Sequence, residues 1–401
     1  MGTVPDGAAE QVREVVVRLL HTSDWHLGRT LFQTSLLEEQ GRFLAWLLAT
    51  ALERDVDAVL VSGDVYDRAV PSLEAVALLD GALEAFSDAG VPLVIVSGNH
   101  DSAVRLGFGS GLAERAGVHL RTTVDDLAHP VLLRDDHGGV AVYGIPYLLP
   151  DAVKDALGCE RSHESVLRAA TGLVLADAEQ RGITRTVVLA HAFVSGGDVS
   201  ESERDITVGG IGDAPAAVFD GVTYAALGHL HRPQEISLGG SATRIRYSGS
   251  PLPFSFGEKH DTKSVVLVEL GAEGVASLET VPTPVARPLR EVRGRLEDLL
   301  ALDDPELAEA WVKAVLTDPS RPVSPMERLR ERWPHTLVLE LVPDVEGIST
   351  DDDLARLRRT TDPVEIATMF VEFVDRVPPT DEETALLTRA IESVTALEAA
   401  G

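Results

Sequence analysis

Cysteine is almost missing from this chain: Cys159 stands alone among 401 residues. A single thiol cannot close an intrachain disulfide, and without a CxxC partner it carries no zinc-site signal. A disulfide scaffold is therefore excluded, and a reducing compartment is expected. Long apolar runs are missing as well. No stretch approaches the roughly 18 to 20 consecutive apolar residues that a membrane span requires. The opening MGTVPDGAAEQVREVVVRLL also lacks a basic segment followed by an apolar one. These absences predict a cytoplasmic protein with no membrane partner. Internal repeats and low-complexity tracts stand out nowhere.

Basic residues are scarce: 35 Lys and Arg against 64 Asp and Glu give a net charge of −29. A protein that grips nucleic acid unaided usually carries a basic footprint, so this balance taken alone argues against one. Part of the acidity is accounted for if some carboxylates hold divalent cations, which reverse the local field where a phosphate would sit. The remainder must be solvated surface. Any nucleic acid would then be held by a local basic strip, by the metals, or with help from a partner.

What is present is a folded, layered protein. Hydrophobic residues make up 44% and charged residues 25% of the chain, a globular balance, and the length predicts two to three units. From Val15 to about Glu269, short β-branched runs alternate with amphipathic stretches, the pattern of an α/β domain. Strands are predicted at 15–21, 57–63, 91–98, 140–145, 184–191, 222–229, 244–250 and 264–270, and helices over 34–54 and 73–89. The texture changes after Pro282. The reading is a flexible extension at 1–14, a catalytic domain at 15–282, a small α+β domain at 283–345, and a linker with two helices at 346–401 split by Pro378-Pro379.

The chemistry lies at strand ends, where open α/β sheets place their ligands. HTSDWHLG (21–28) offers Asp24 and His26, which would share a face in an ideal strand. SGDVYDRA (62–69) turns at a glycine and presents Asp64, a natural bridging carboxylate, with Asp67 three residues on. SGNHDS (97–102) presents Asn99, His100 and Asp101 on one loop, LAHAF (189–193) ends a strand at His191, and LGHLH (227–231) carries His229 and His231. Each motif alone admits a plainer reading, as a turn former or a satisfied polar residue. Five such loops in one chain supply carboxylate, amide and imidazole ligands suited to two divalent cations bridged by one carboxylate. His21, His119, His129, His137, His163, His260 and His335 do not share the pattern and read as core or surface residues.

The ordered set Asp-x-His, Gly-Asp-x-x-Asp, Gly-Asn-His-Asp, His and Gly-His-x-His resembles the calcineurin-like metallophosphoesterase superfamily over residues 18 to about 270. Within it, LLHTSDWHLG, VSGDVYD, VSGNHDS, LGHLHRPQ and YSGSPLPFSFGE (247–258) resemble the SbcD family of bacterial nuclease subunits. The resemblance implies a four-layer αββα sandwich with a DNA-capping domain beginning near ARPLREVRG (286–294) and a partner-binding helical tail. It also implies a manganese-dependent nuclease: a 3′-to-5′ exonuclease on duplex ends and an endonuclease on single strands and hairpins, acting in DNA repair, replication and recombination. One metal would be held by Asp24, His26, Asp64 and His231, the other by Asp64, Asn99, His191 and His229. His100 would serve the leaving oxygen, its ring oriented by Asp67.

The implied partners are DNA, an SbcC-like ATPase with a coiled coil, and a second copy of the chain through the helices after Asp67, giving a homodimer within a heterotetramer. Candidate phosphate contacts are Arg29, Arg68, Arg105 and Arg232, with Arg244, Arg246, Lys259 and Lys263 beside them. Ile366, Met369, Phe370 and Phe373 fall on one helical face and would anchor the ATPase. The same metal site could instead serve a phosphatase or a cyclic-nucleotide phosphodiesterase, against which the chain beyond the catalytic domain speaks.

Overall fold

The computed structural model describes residues 15–200, 202–203, 213–343, 360, 362–375 and 377–399. The extension 1–14 and the acidic connector 344–353 fall outside the described residues. Two compact units divide between Ala286 and Arg287.

The first unit is built on two six-stranded sheets. Five strands carry the site: β1 (Val17–Thr22), β2 (Ala58–Ser62), β3 (Leu93–Val96), β4 (Arg185–His191) and β5 (Tyr224–Gly228). β1, β2 and β3 are parallel neighbours in one sheet, while β4 and β5 are parallel neighbours in the other. Their β-branched and leucine runs are buried on both faces, as parallel strands require. Leu19, Leu60 and Val96 of the first sheet meet Val187, Leu189 and Ala226 of the second in a shared apolar layer.

Helices cover the outer faces. Leu37–Glu53 and Leu73–Asp88 lay Phe43, Leu47 and Phe86 on the first sheet, and His163–Arg181 lays Val166, Ala170 and Val174 on the second. The layers therefore run α, β, β, α. Antiparallel hairpins finish the edges, including Ser264–Gly271 with Gly274–Pro282 beside β1 and Val131–Asp135 at the far edge of the second sheet. The helix at 163–181 and the strands at 118–121, 131–135 and 274–282 are not among the elements expected from the sequence. Gly172 and Thr171 interrupt the helical stripe, and Gly274–Pro282 is half exposed and rich in small or polar residues.

The second unit carries three parallel strands in sequence order, Leu289–Gly294, Trp311–Leu316 and Thr336–Leu341. Each connection contains a helix, which is what parallel pairing demands, and Leu296, Leu299, Leu329 and Trp333 form its core. Farther on, the helices Pro363–Asp375 and Asp381–Ala399 pack on each other. Among the described residues, no helix is long and apolar enough to cross a membrane.

Candidate two-metal centre

The loops leaving β1, β2, β3 and β5 meet at the C-terminal ends of the two sheets, with the last residue of β4. Main-chain bonds fasten the first two together: Asp24 N–H donates to Gly63 O at 3.0 Å, His26 N–H to Asp64 O at 2.9 Å, and Leu27 N–H to Val65 O at 2.9 Å. The backbone here is strained. Asp24, His26, Asp64 and His229 take positive φ values of 54°, 45°, 48° and 111°, each costing roughly 1–3 kcal/mol for a residue with a side chain. Asp24 and His26 thus converge through left-handed turns and not through the strand alternation expected from their spacing. Among the described residues, four of the eight non-glycine positions with positive φ are candidate ligands, a concentration that ties the strain to the site's construction.

Two clusters of donor atoms result, sharing Asp64. In one, His26 Nε2 faces His231 Nε2 at 3.2 Å, and Asp24 lies within ligand reach of both imidazoles. In the other, His191 Nε2 faces Asn99 Oδ1 at 2.8 Å and His229 Nδ1 faces the same oxygen at 3.2 Å. Asp64 Oδ2 stands between them, 3.6 Å from His26 Nε2 and 3.4 Å from His191 Nε2. Asp24, Asp64 and His191 also form a compact group of potential ligands, as do His26, Asp67 and His100. All seven sequence-nominated metal ligands therefore meet at one locus.

The donor chemistry fits cations. His191 Nδ1 donates to Ser62 O at 2.9 Å, so its Nε2 carries a lone pair, directed at the carbonyl oxygen of Asn99. Asn99 Nδ2 and His26 Nδ1 are buried without a hydrogen-bond partner, a state that calls for an explanation such as a bound ion or a catalytic role. Burial, followed by the proximity of another imidazole, pushes the pKa values of His26 and His191 well below the usual histidine range, and burial followed by the nearby Lys263 and Arg29 cations does the same to His231. These rings are neutral, the form that ligates metal. Burial also lifts Asp24 to about 8 against the bonds from Ser23 and the His229 N–H. A buried carboxyl facing acceptor nitrogens is a site that a divalent cation would stabilise.

His100 differs from the ligands. It is half-buried, its Nδ1 donates to the main-chain carbonyl of Asp67 at 2.8 Å, and its ring meets His26 edge-on at 4.7 Å. The orienting contact therefore includes the Asp67 carbonyl. The Asp67 carboxylate lies 3.6 Å from His26 Nδ1 and 3.5 Å from an Arg29 nitrogen.

Several supporting residues escape sequence reasoning. Gln40, buried on the first helix, donates to Trp25 O and His26 O at 3.0 and 2.7 Å and accepts from Gly28 N–H at 3.0 Å. Asp101 accepts from the N–H groups of Val65, Tyr66 and Gly98 at 3.1, 2.9 and 2.8 Å, tying the β2 loop to the β3 loop. A helix-borne Gln gives no motif signal; the signal for Asp101 is its place in Gly-Asn-His-Asp, where no role follows from spacing.

The nominated basic residues do not form one class. Lys263 is a correction: its side chain is fully buried, with Nζ donating to His231 O, Ser250 Oγ and Glu258, so it cannot meet a phosphate in this fold. Arg29 is only 16% exposed and lies over the Phe254 ring at 4.6 Å. Arg68 is 80% exposed, Arg105 is exposed and donates to Ala69 O, and Arg232 pairs with Asp261 at 3.1 Å. Arg244 pairs with Glu235, and Arg246 donates to Thr280. In the tail, Ile366 and Phe370 are exposed but Met369 is buried, which removes it from the expected docking face; the Phe373 side chain lies outside the described residues.

Comparison with known proteins places this geometry. The model of the calcineurin-like phosphoesterase family matches residues 17–233, the segment that contains every candidate ligand. The chain belongs to the calcineurin-like phosphoesterase family. As a member it is a metal-dependent phosphodiester hydrolase. A second family model, described as the type 5 capsule protein repressor C-terminal domain, matches residues 285–377. The SbcD subunit of the nuclease SbcCD from Staphylococcus saprophyticus is 29% identical over 328 residues, covering 80% of this phosphoesterase and 84% of that protein. Among solved structures, TT1561 of Thermus thermophilus aligns at a TM-score of 0.42 and 16% identity, covering 67% of this chain and 99% of that one. A dimetal phosphatase from Danio rerio aligns at 0.40 and 11% identity, covering 67% and 99%.

Proposed function

We propose that this chain is the nuclease subunit of an SbcCD-type complex, a manganese-dependent DNA nuclease with 3′-to-5′ exonuclease activity on duplex ends and endonuclease activity on single strands and hairpins. The observation that carries the reading is the convergence of Asp24, His26, Asp64, Asn99, His191, His229 and His231 in a chain whose similarity to an SbcD subunit covers 80% of its length. In this reading the protein is cytoplasmic and serves DNA repair, replication and recombination.

Asp24, His26, Asp64 and His231 would hold one divalent ion and Asp64, Asn99, His191 and His229 the other. Bound there, the ions would neutralise charge on the phosphoryl oxygens and acidify the attacking water. Manganese suits this mixture of carboxylate, amide oxygen and imidazole better than magnesium, which prefers oxygen alone. Asp64 keeps the two clusters in register through Oδ2, and its Oδ1 accepts the His100 N–H at 2.8 Å, which fixes the carboxylate plane. With His100 Nδ1 committed to the Asp67 carbonyl, Nε2 is the atom that would carry a proton to the leaving oxygen. Arg68, Arg105 and Arg232 reach solvent near these loops and would contact DNA phosphates; a partner would make up for the chain's net acidity.

Val70, Leu73, Val104, Phe108 and Leu112 are exposed on the segments after Asp67 and Asp101. This much apolar surface supports a homodimer through that face. Ile366 and Phe370 support docking of the tail helix on an SbcC-like coiled coil. The test is cleavage of an end-labelled hairpin DNA by the purified chain in manganese, with magnesium and EDTA controls, with and without the ATPase partner and ATP. Manganese-dependent cutting is expected. Hydrolysis of a small phosphodiester with no cutting of DNA under any of these conditions would reject the nuclease reading in favour of a small-substrate phosphodiesterase. Sedimentation of the same preparations reports the assembly.

A further inference from the structure

The motif YSGSPLPFSFGE and the lysine that follows it take no part in the ligand set, yet they contain an expensive construction. Lys263 and Glu258 form an ion pair with both side chains at 0% exposure. Removing two charges from water costs several kcal/mol per ion unless their hydrogen-bonding capacity is filled. Here it is filled, and in one direction. Lys263 Nζ also donates to Ser250 Oγ at 3.1 Å and to the main-chain carbonyl of His231 at 2.9 Å. Glu258 Oε1 accepts from Ser202 Oγ at 2.6 Å, from Ser255 Oγ at 3.1 Å and from Phe254 N–H at 3.3 Å.

Ser202 is the link to the metal centre. Its hydroxyl oxygen lies 2.5 Å from His231 Nδ1. Because the hydroxyl hydrogen is given to Glu258, the oxygen can only accept from the ring, so Nδ1 bears the imidazole proton. The lone pair is then on Nε2, the nitrogen that faces His26 Nε2 at 3.2 Å. The neighbouring Glu203 Oε1 accepts the His231 main-chain N–H at 2.6 Å, and Arg29 donates to Ser202 O at 2.9 Å. His231 is thereby clasped at its N–H, its carbonyl and its Nδ1.

We propose that Ser202, backed by the buried Glu258–Lys263 pair, is a positioning residue that fixes His231 as the Nδ1-protonated tautomer and so sets the affinity for the divalent ion held with Asp24 and His26. The inference rests on the two-metal reading of the site. Outer partners of ligating histidines that fix tautomer and ring orientation are typically worth ten- to a hundred-fold in metal affinity.

The test is calorimetric titration of manganese into the full-length wild-type chain and its Ser202→Ala, Ser202→Thr and Ser277→Ala variants, each accompanied by its thermal midpoint without metal. Ser202→Ala should weaken one of the manganese sites by about ten-fold or more. Ser202→Thr, which keeps the hydroxyl, should restore it, and Ser277→Ala, whose exposed hydroxyl bonds Glu269 and not the Ser202 network, should match wild type. Wild-type affinity in Ser202→Ala would overturn the proposal, as would a lowered thermal midpoint with unchanged affinity or a loss that Ser202→Thr fails to rescue. If the wild-type chain itself takes up no manganese, the two-metal reading fails first, and this inference falls with it.

Discussion

His100→Ala should reduce DNA cleavage by about a hundred- to ten-thousand-fold, the range for a positioned proton donor, while manganese still binds at close to wild-type affinity. The separation follows from where His100 stands. Its ring is half-buried where every candidate imidazole ligand is fully buried. Its Nδ1 is committed to the Asp67 carbonyl at 2.8 Å, and the group formed by Asp24, His26 and His231 is complete without it. A loss of this size corresponds to about 3–5 kcal/mol of transition-state stabilisation. Asp64→Ala should behave differently, losing metal and activity together, because one carboxylate serves both clusters. The pair is read by cleavage rate alongside manganese titration. Equal metal loss in both variants would make His100 a ligand, drawn from the His26–Asp67–His100 group instead.

The second large effect is expected from a single methyl group. In Gly98→Ala the new Cβ would fall 2.1 Å from Asp64 Oδ1 and 2.3 Å from Asp64 N. Neither atom can retreat. The amide belongs to a left-handed residue, φ 48°, and the carboxylate is held by the His100 N–H. Gly98 N–H in turn donates to Asp101, which binds Val65 and Tyr66 as well. The strain must therefore push the β2 and β3 loops apart. Overpacking of a closely built region costs about 1–3 kcal/mol and occasionally more, and a backbone clash belongs at the upper end. Urea denaturation should register a loss of about 3 kcal/mol, and manganese binding should weaken because Asp64 moves. Gly172→Ala is the comparison, since its added Cβ meets nothing within 4 Å on an ordinary helix; it should be neutral or stabilising. A Gly98→Ala chain as stable and as metal-competent as wild type would mean that the loops are not packed as described.

These two sites also separate what a sequence can disclose from what it cannot. Asp24, Asp64, Asn99, His191 and His229 are legible because each follows an apolar β run, and polar side chains at such ends have few structural duties. The helices at 37–53 and 73–88 announce themselves through apolar spacing. By contrast, the convergence of Asp24 with His26 depends on positive φ angles that neither residue type advertises. Gln40 reaches back 14 positions to the His26 carbonyl, Lys263 reaches back 32 to the His231 carbonyl, and Ser202 meets Glu258 across 56; nothing local encodes such meetings. Lys263 misleads for the same reason: a lysine in a polar loop is usually solvated, and only its buried partners reveal otherwise. Met369 obeys its helical spacing yet faces inward, because periodicity identifies an apolar face without saying what covers it.

The central claim, two cations bridged by Asp64, is tested most directly by anomalous scattering from crystals of the chain grown with manganese. Two peaks are expected: one bounded by Asp24, His26 and His231, the other by Asn99, His191 and His229, with Asp64 in contact with both. A single peak, or a peak among His26, Asp67 and His100 that leaves Asn99 and His191 without metal, would contradict the account.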